Sequence, residues 1–156
     1  MHVIAAKAVA FYEAMQPSFT SYQQAILDNA LTLATELKQL GLRLISGGTD
    51  THLILVDLND AGVTGKQAEE VLGRVGIIVN RNAVPFTNTH SHRITGGIRL
   101  GTPAVTSRGF GAEEMKRIAA LIVDVISHID DMNIQQRVRE EVSQMCQLFP
   151  VPSIDK

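Results

Sequence analysis

From residue 22 to residue 40 the apolar side chains Ile26, Leu27, Ala30, Leu31, Leu33, Ala34 and Leu37 recur every three or four positions. That period sets them along one stripe of an α-helix. The chain is therefore expected to contain one long amphipathic helix, and a stripe of that length needs other elements to cover it. Gly41 stops the run, because glycine readily takes the left-handed conformation in which helices end. Beyond it the pattern changes: Arg43 to Ser46 reads as a short strand, Gly47-Gly48-Thr49 as a turn and Leu53 to Leu58 as a second strand. The short turn makes the two strands antiparallel neighbours. The long helix is placed to join this layer to something upstream.

The residue before a proline is pushed out of the helical region, so a first helix over residues 2–15 is expected to stop ahead of Pro17, with the long helix starting near Phe19. Thr64 and Gln67 have capping-box spacing, and Ala68, Val71, Leu72 and Val75 form the apolar face of a helix that ends at Gly76. Ile77, Ile78 and Val79 read as a third strand. From Asn80 to Arg93, with Pro85 among many Thr, Asn and His residues, no period of either kind is present, and the segment reads as a loop of a length that is often functional. Gly97 to Leu100 reads as another short strand, residues 113–129 as a helix, and residues 134–149 as a last helix before Pro150 and Pro152. Short strands clustered among helices predict an α+β fold, with helices covering one face of a small, mostly antiparallel sheet.

A chain of 156 residues that is 45% hydrophobic can build one core. The formal net charge of -2, with Lys and Arg dispersed, provides no basic stripe to track a phosphate backbone, so nucleic acid is not an expected partner. Cys146 is the single cysteine, which excludes an internal disulfide or a cysteine metal site and fits a reducing, cytoplasmic setting. The apolar residues 1–15 follow no positive run and are broken by Lys7, Tyr12 and Glu13 well short of a membrane span. They are expected to form a helix packed inside a protein. With no loop or cap ahead of that helix, the start reads as truncated.

Four segments stand in a set order along these elements. They are His2-Val3-Ile4-Ala5-Ala6-Lys7-Ala8-Val9-Ala10, Ser46-Gly47-Gly48-Thr49-Asp50-Thr51-His52-Leu53, Asn80-Arg81-Asn82 with Pro85, and Gly97-Ile98-Arg99-Leu100-Gly101-Thr102-Pro103-Ala104 running into Thr106-Ser107-Arg108-Gly109-Phe110. In order and spacing they resemble the serine hydroxymethyltransferase family over nearly the whole chain. The resemblance implies a type I pyridoxal-phosphate enzyme, and the Asn80-to-Asn82 and Arg108-to-Phe110 segments speak against a threonine aldolase. Residues 1–17 would be the tail of the large cofactor domain, and 18–156 the small carboxy-terminal domain with its connecting helix, in a homo-oligomer. The implied reaction moves the hydroxymethyl carbon of serine to tetrahydrofolate, giving glycine and methylene-tetrahydrofolate, with pyridoxal 5'-phosphate as the electron sink. In the family the Schiff-base lysine lies upstream of the matched region, and none of Lys7, Lys38, Lys66, Lys116 and Lys156 sits in its threonine-, histidine- and glycine-rich lysine motif. The chain is thus expected to supply substrate and folate contacts, to carry no catalytic residue, and to be inactive and cofactor-free without the missing amino-terminal domain.

The resemblance assigns Arg99 to the substrate carboxylate. A planar guanidinium suits that task, since it makes two parallel charge-assisted bonds and keeps its charge; the competing reading is a structural salt bridge. Asn82 resembles the residue that approaches the folate pteridine, where an amide both donates and accepts, although His90, Ser91 and His92 replace the acidic, proline-bearing stretch more usual in the family. Thr95, Arg108 and His52 are supporting candidates. Thr95-Gly96-Gly97 departs from the family's commoner Thr-Ser-Gly, and Arg108 is equally explained by a salt bridge near a helix. His52, His90 and His92 lack acidic or cysteine companions, so no metal site is expected; His52 is expected to bond backbone groups, and Thr49 and Asp50 to bond local amides in the turn. The first helix and the leucine stripe from Leu27 to Leu40 are expected to pack against the missing domain. A rival reading makes the chain a non-catalytic interaction module that associates through the apolar first helix.

Overall fold

Pro17 opens the long helix instead of preceding it. In the computed structural model, which describes residues 1–85 and 95–152, α1 spans His2–Ala14 and α2 spans Pro17–Gln39. A proline in the first turn loses nothing by lacking an N–H, because that group has no partner inside the helix, and its fixed φ favours the helical start. The expected start near Phe19 is therefore two residues late. Strand β1 (Arg43–Leu44), a 3-10 turn (Ile45–Gly47) and β2 (Leu53–Asp57) follow. Next come α3 (Gly65–Arg74), β3 (Asn80–Asn82), β4 (Gly97–Gly101), α4 (Pro103–Ser107), α5 (Ala112–Ser127) and α6 (Met132–Leu148). The result is an α+β fold, with six helices and a four-stranded sheet among the described residues.

The sheet runs in the order β1-β2-β4-β3 and every neighbour is antiparallel. Pairing of Arg43 with Asp57 and Leu44 with Val56 makes the first two strands the neighbours that their turn predicts. The third strand differs from its expectation. Gly76, at φ 89, ends α3 in the left-handed conformation, its N–H bonds the Gly73 carbonyl at 3.1 Å, and the Ile77 N–H reaches back to the Leu72 carbonyl at 2.9 Å. This double closure is a Schellman motif. It ties Ile77 to the helix end, so Ile77 and Val79 pack against the core while Ile78 stays exposed, and the polar Asn80–Asn82 forms the ladder.

Ile54, Val56, Ile98 and Leu100 point to the helix layer, where they are 0%, 0%, 0% and 7% exposed. They meet Leu33 and Leu37 of α2, Val71 and Leu72 of α3, and Met115, Ile122 and Val125 of α5 in one continuous core. Each such aliphatic side chain contributes about 1.5–3 kcal/mol through burial. Capping fixes the start of α3: the Thr64 hydroxyl accepts from the Gln67 N–H at 3.2 Å and the Gln67 side chain accepts from the Thr64 N–H at 3.0 Å. The stripe of α2 also departs from expectation. Ile26, Ala30, Leu33, Ala34 and Leu37 are buried within this chain, largely against α5, leaving Leu27, Leu31 and Leu40 exposed on the flank. Helix α1 buries none of its residues.

The short helix α4 carries no readable period. Thr102, fully buried, donates to the Ile26 carbonyl at 2.9 Å, and Asn29 donates to Thr106 Oγ1 and to the Phe110 carbonyl, each at 2.9 Å. These bonds seat α4 across α2. Helix α6 begins under the Asp131 cap and is tied to α5 through Arg117 with Glu141 and Arg137 with Asp124. The bond from Arg117 to Glu141 holds the guanidinium pKa above its ordinary value.

Candidate functional site

Alternation along strands decides what the second face of the sheet presents. Ile98 and Leu100 point to the helices, so Arg99, between them, points away. It is exposed, and its side chain makes no hydrogen bond or ion pair among the described residues. Its register partners are Leu55 on β2 and Asn80 on β3. Residues paired across antiparallel strands share a face, so Leu55, Asn80 and Asn82 stand on the side of Arg99. Arg81 is turned the other way, onto α3, where its guanidinium lies 3.4 Å from Glu69 and its N–H donates to the same carboxylate at 3.0 Å.

The bare face thus holds the Arg99 guanidinium, the amides of Asn80 and Asn82, Leu53 and Leu55, and the pair Arg43 and Asp57. The acid that belongs to it, Asp57, is already engaged: its buried carboxylate lies 3.3 Å from Arg43 and accepts the Asn59 N–H at 3.0 Å. Asn59 also donates its side-chain amide to Asp57. Among the described residues Arg99 is left as a cation with no counter-charge in contact, and a guanidinium in that state can bind an anion in two-pronged fashion.

Close backbone packing sets where β4 enters. A Cβ on Gly97 would lie 2.2 Å from the Val56 carbonyl oxygen and 2.6 Å from Val84 Cγ1, and one on Gly96 would lie 2.9 Å from both the Asn59 amide and Val84. Neither position has room for a side chain without movement. The serine more usual in the family at 96 would need Asn59 or Val84 to shift. Across the same junction, the Gly65 N–H donates to the Thr95 carbonyl at 2.9 Å.

The candidates from sequence fall in different places. Arg99 and Asn82 come together on the bare face, where Asn82 donates its amide to the Ala83 carbonyl at 2.8 Å. Thr95 is buried, with φ 37 and a hydroxyl that makes no hydrogen bond among the described residues, against the start of α3. Arg108 lies on the helix side of the sheet, donating from Nε to the Phe149 carbonyl at 2.6 Å and from Nη2 to the Cys146 carbonyl at 3.0 Å. That is a clasp on the end of α6 in place of the expected salt bridge. His52 is exposed; its carbonyl accepts from the Thr102 N–H at 3.3 Å, and its ring makes no bond among the described residues, contrary to the expected backbone contact. Thr49 does bond its turn, accepting from the Thr51 N–H at 3.1 Å. His90 and His92 lie outside the described residues, among which no cluster of potential metal ligands occurs. Asn80 and Leu55 were missed as site residues, although the Asn-Arg-Asn alternation could have placed Asn80 beside Asn82.

The described residues form an α+β module, a helix-backed antiparallel sheet whose second face carries the Arg99 guanidinium, unpaired among the described residues, beside the amides of Asn80 and Asn82. The sequence comparisons give that module its family. The profile of serine hydroxymethyltransferases matches residues 1–122. The chain is 52% identical over 155 residues to a serine hydroxymethyltransferase of Dehalococcoides mccartyi strain 195, covering 99% of this chain and 37% of that protein. It is 53% identical over 151 residues to that of Methylococcus capsulatus strain Bath, covering 97% of this chain and 36% of the relative. The chain belongs to the serine hydroxymethyltransferase family and spans a little over a third of the length of these curated relatives. No helix among the described residues is long and apolar enough to cross a membrane.

Proposed function

We propose that this chain is the carboxy-terminal part of a serine hydroxymethyltransferase. Residues 1–17 form the tail of the large cofactor domain and residues 18–156 the small domain of a type I pyridoxal-phosphate fold. Arg99 takes the carboxylate of serine or glycine, and Asn82 contacts the folate. The observation that carries this reading is the exposed guanidinium of Arg99, unpaired among the described residues, with Asn80 and Asn82 on the adjacent strand. Two parallel N–H donors orient a carboxylate as well as attract it, and the amides can donate to and accept from a polar ring without adding charge.

Pyridoxal 5'-phosphate would supply the electron sink for breaking bonds at the amino-acid α-carbon. The described residues do not furnish its attachment. Lys7, Lys38, Lys66 and Lys116 sit on α1, α2, α3 and α5, and none is on the strands of the bare face. The last three bond elsewhere: Lys38 to the Gly47 carbonyl, Lys66 to Glu70 and Lys116 to Glu113. On this reading the cofactor and its lysine belong to the amino-terminal domain, and the isolated chain is inactive. Substrates are serine, glycine and tetrahydrofolate, in a homo-oligomer working in the cytoplasm.

Co-expression with a polypeptide carrying the cofactor domain, followed by an assay of serine cleavage, tests the reading. Activity is expected only when both pieces are present, and Arg99→Ala is expected to weaken it at low serine by raising the KM. Formation of an internal aldimine absorbance band by the pure chain with pyridoxal phosphate would overturn it. A second reading, a non-catalytic association module, draws on α1, where Val3, Ile4, Val9, Phe11 and Tyr12 are all more than half exposed. On that reading the chain binds its partner and no activity returns.

A further inference from the structure

On the helix side of the sheet, away from Arg99, the core is incomplete. A partly open cavity of about 160 Å³ lies between β4, α4, α5 and α6. Its walls include Leu100, Val105, Ile118, Leu121, Val142 and Met145, and none of its lining residues is acidic or carries a hydroxyl or amide side chain. Two chemically distinct groups reach it, Arg108 and Cys146. The guanidinium is committed to the Phe149 and Cys146 carbonyls and lies 5.6 Å from the centre of the Phe110 ring, so it closes one wall without offering a counter-ion site.

Such a lining gives a water molecule few hydrogen-bond partners, and a water needs about two to four to be held. Apolar cavities of about 150 Å³ elsewhere stay dry and take up benzene or xenon. We propose that this cavity is a binding site for neutral, ring-sized apolar molecules. The occupant gains dispersion contacts that the walls now lack, and cations are rejected because Arg108 is already in the wall. The site is separate from the bare face and independent of the reading given to Arg99.

The test is a titration of the 156-residue chain with benzene, followed by the methyl NMR signals of Val105, Ile118, Leu121 and Val142 and by the rate at which iodoacetamide modifies Cys146. Saturable shifts confined to these methyls, together with several-fold slower modification, are expected; benzylammonium should produce neither. Ile118→Phe fills the space and should abolish the response. Should that variant fail to fold, Val142→Leu adds one methylene and should weaken benzene binding several-fold. Absence of saturable shifts, equal binding of benzylammonium, or benzene binding untouched by both substitutions would each overturn the proposal.

Discussion

On one side of the four-stranded sheet Ile54, Val56 and Ile98 are fully buried beneath α2, α3 and α5; on the other stand Arg99, Asn80 and Asn82, one residue along or directly across, with Arg99 and Asn80 exposed. The strands are the same and only the parity differs. The covered side is a packing problem, in which volume and shape decide stability. On the reading proposed above, the open side is a recognition problem, in which charge and hydrogen-bonding capacity decide function, and Arg99 there carries no ion pair among the described residues. Substitutions at adjacent positions of one strand should accordingly have different currencies of effect.

The sharpest break in that contrast is Ile98→Ala, which should cost about 2–5 kcal/mol in urea unfolding, as large-to-small core changes do. A cost under 1 kcal/mol would mean that the covered face is loosely packed. In an assembled, active enzyme, Arg99→Ala should weaken amino-acid binding by the loss of a charge-assisted pair, about 1.5–3 kcal/mol or roughly 10- to 150-fold, read from the KM for serine. Gly97→Ala should cost about 1–3 kcal/mol by overpacking, because its new methyl would meet the Val56 carbonyl oxygen at 2.2 Å. Thr64→Ala should remove the α3 cap for about 1 kcal/mol, with no effect on the open face. The smallest effect belongs to Arg99→Ala on the unfolding of the isolated chain, where a change within about 0.5 kcal/mol is expected; a larger loss would show that the guanidinium serves the fold.

What the sequence disclosed follows the same division. Helical period and end signals are local, so α2, the capping box of α3, the stop at Gly76 and the antiparallel pairing of β1 with β2 were all legible. The third strand was misplaced by three residues because apolar Ile77 to Val79 look more strand-like than Asn80–Asn82. The pairing with β4, a long-range fact, decided otherwise. Helix α4 was invisible, being five residues long and held by Asn29 and Thr102 from afar. The covering of the α2 stripe by α5 was hidden for the same reason: periodicity tells that a face is buried and is silent about the partner. At the site, Arg99 could be singled out from a short strand and a family resemblance. Asn80, its direct neighbour across the ladder, needed the register.

The hold of Arg108 on the closing residues of α6 has a consequence for how the molecule tolerates shortening. The two carbonyls it grasps belong to Cys146 and Phe149, and the Phe149 ring leans on Phe110 at 4.5 Å between centroids. Trimming the chain back past these positions would remove both carbonyls that accept from the guanidinium and the ring that packs on Phe110. The tail end of the polypeptide is thus a fastening for residues some forty positions earlier, and protease nicking there should loosen the region around α4 before it disturbs the strands.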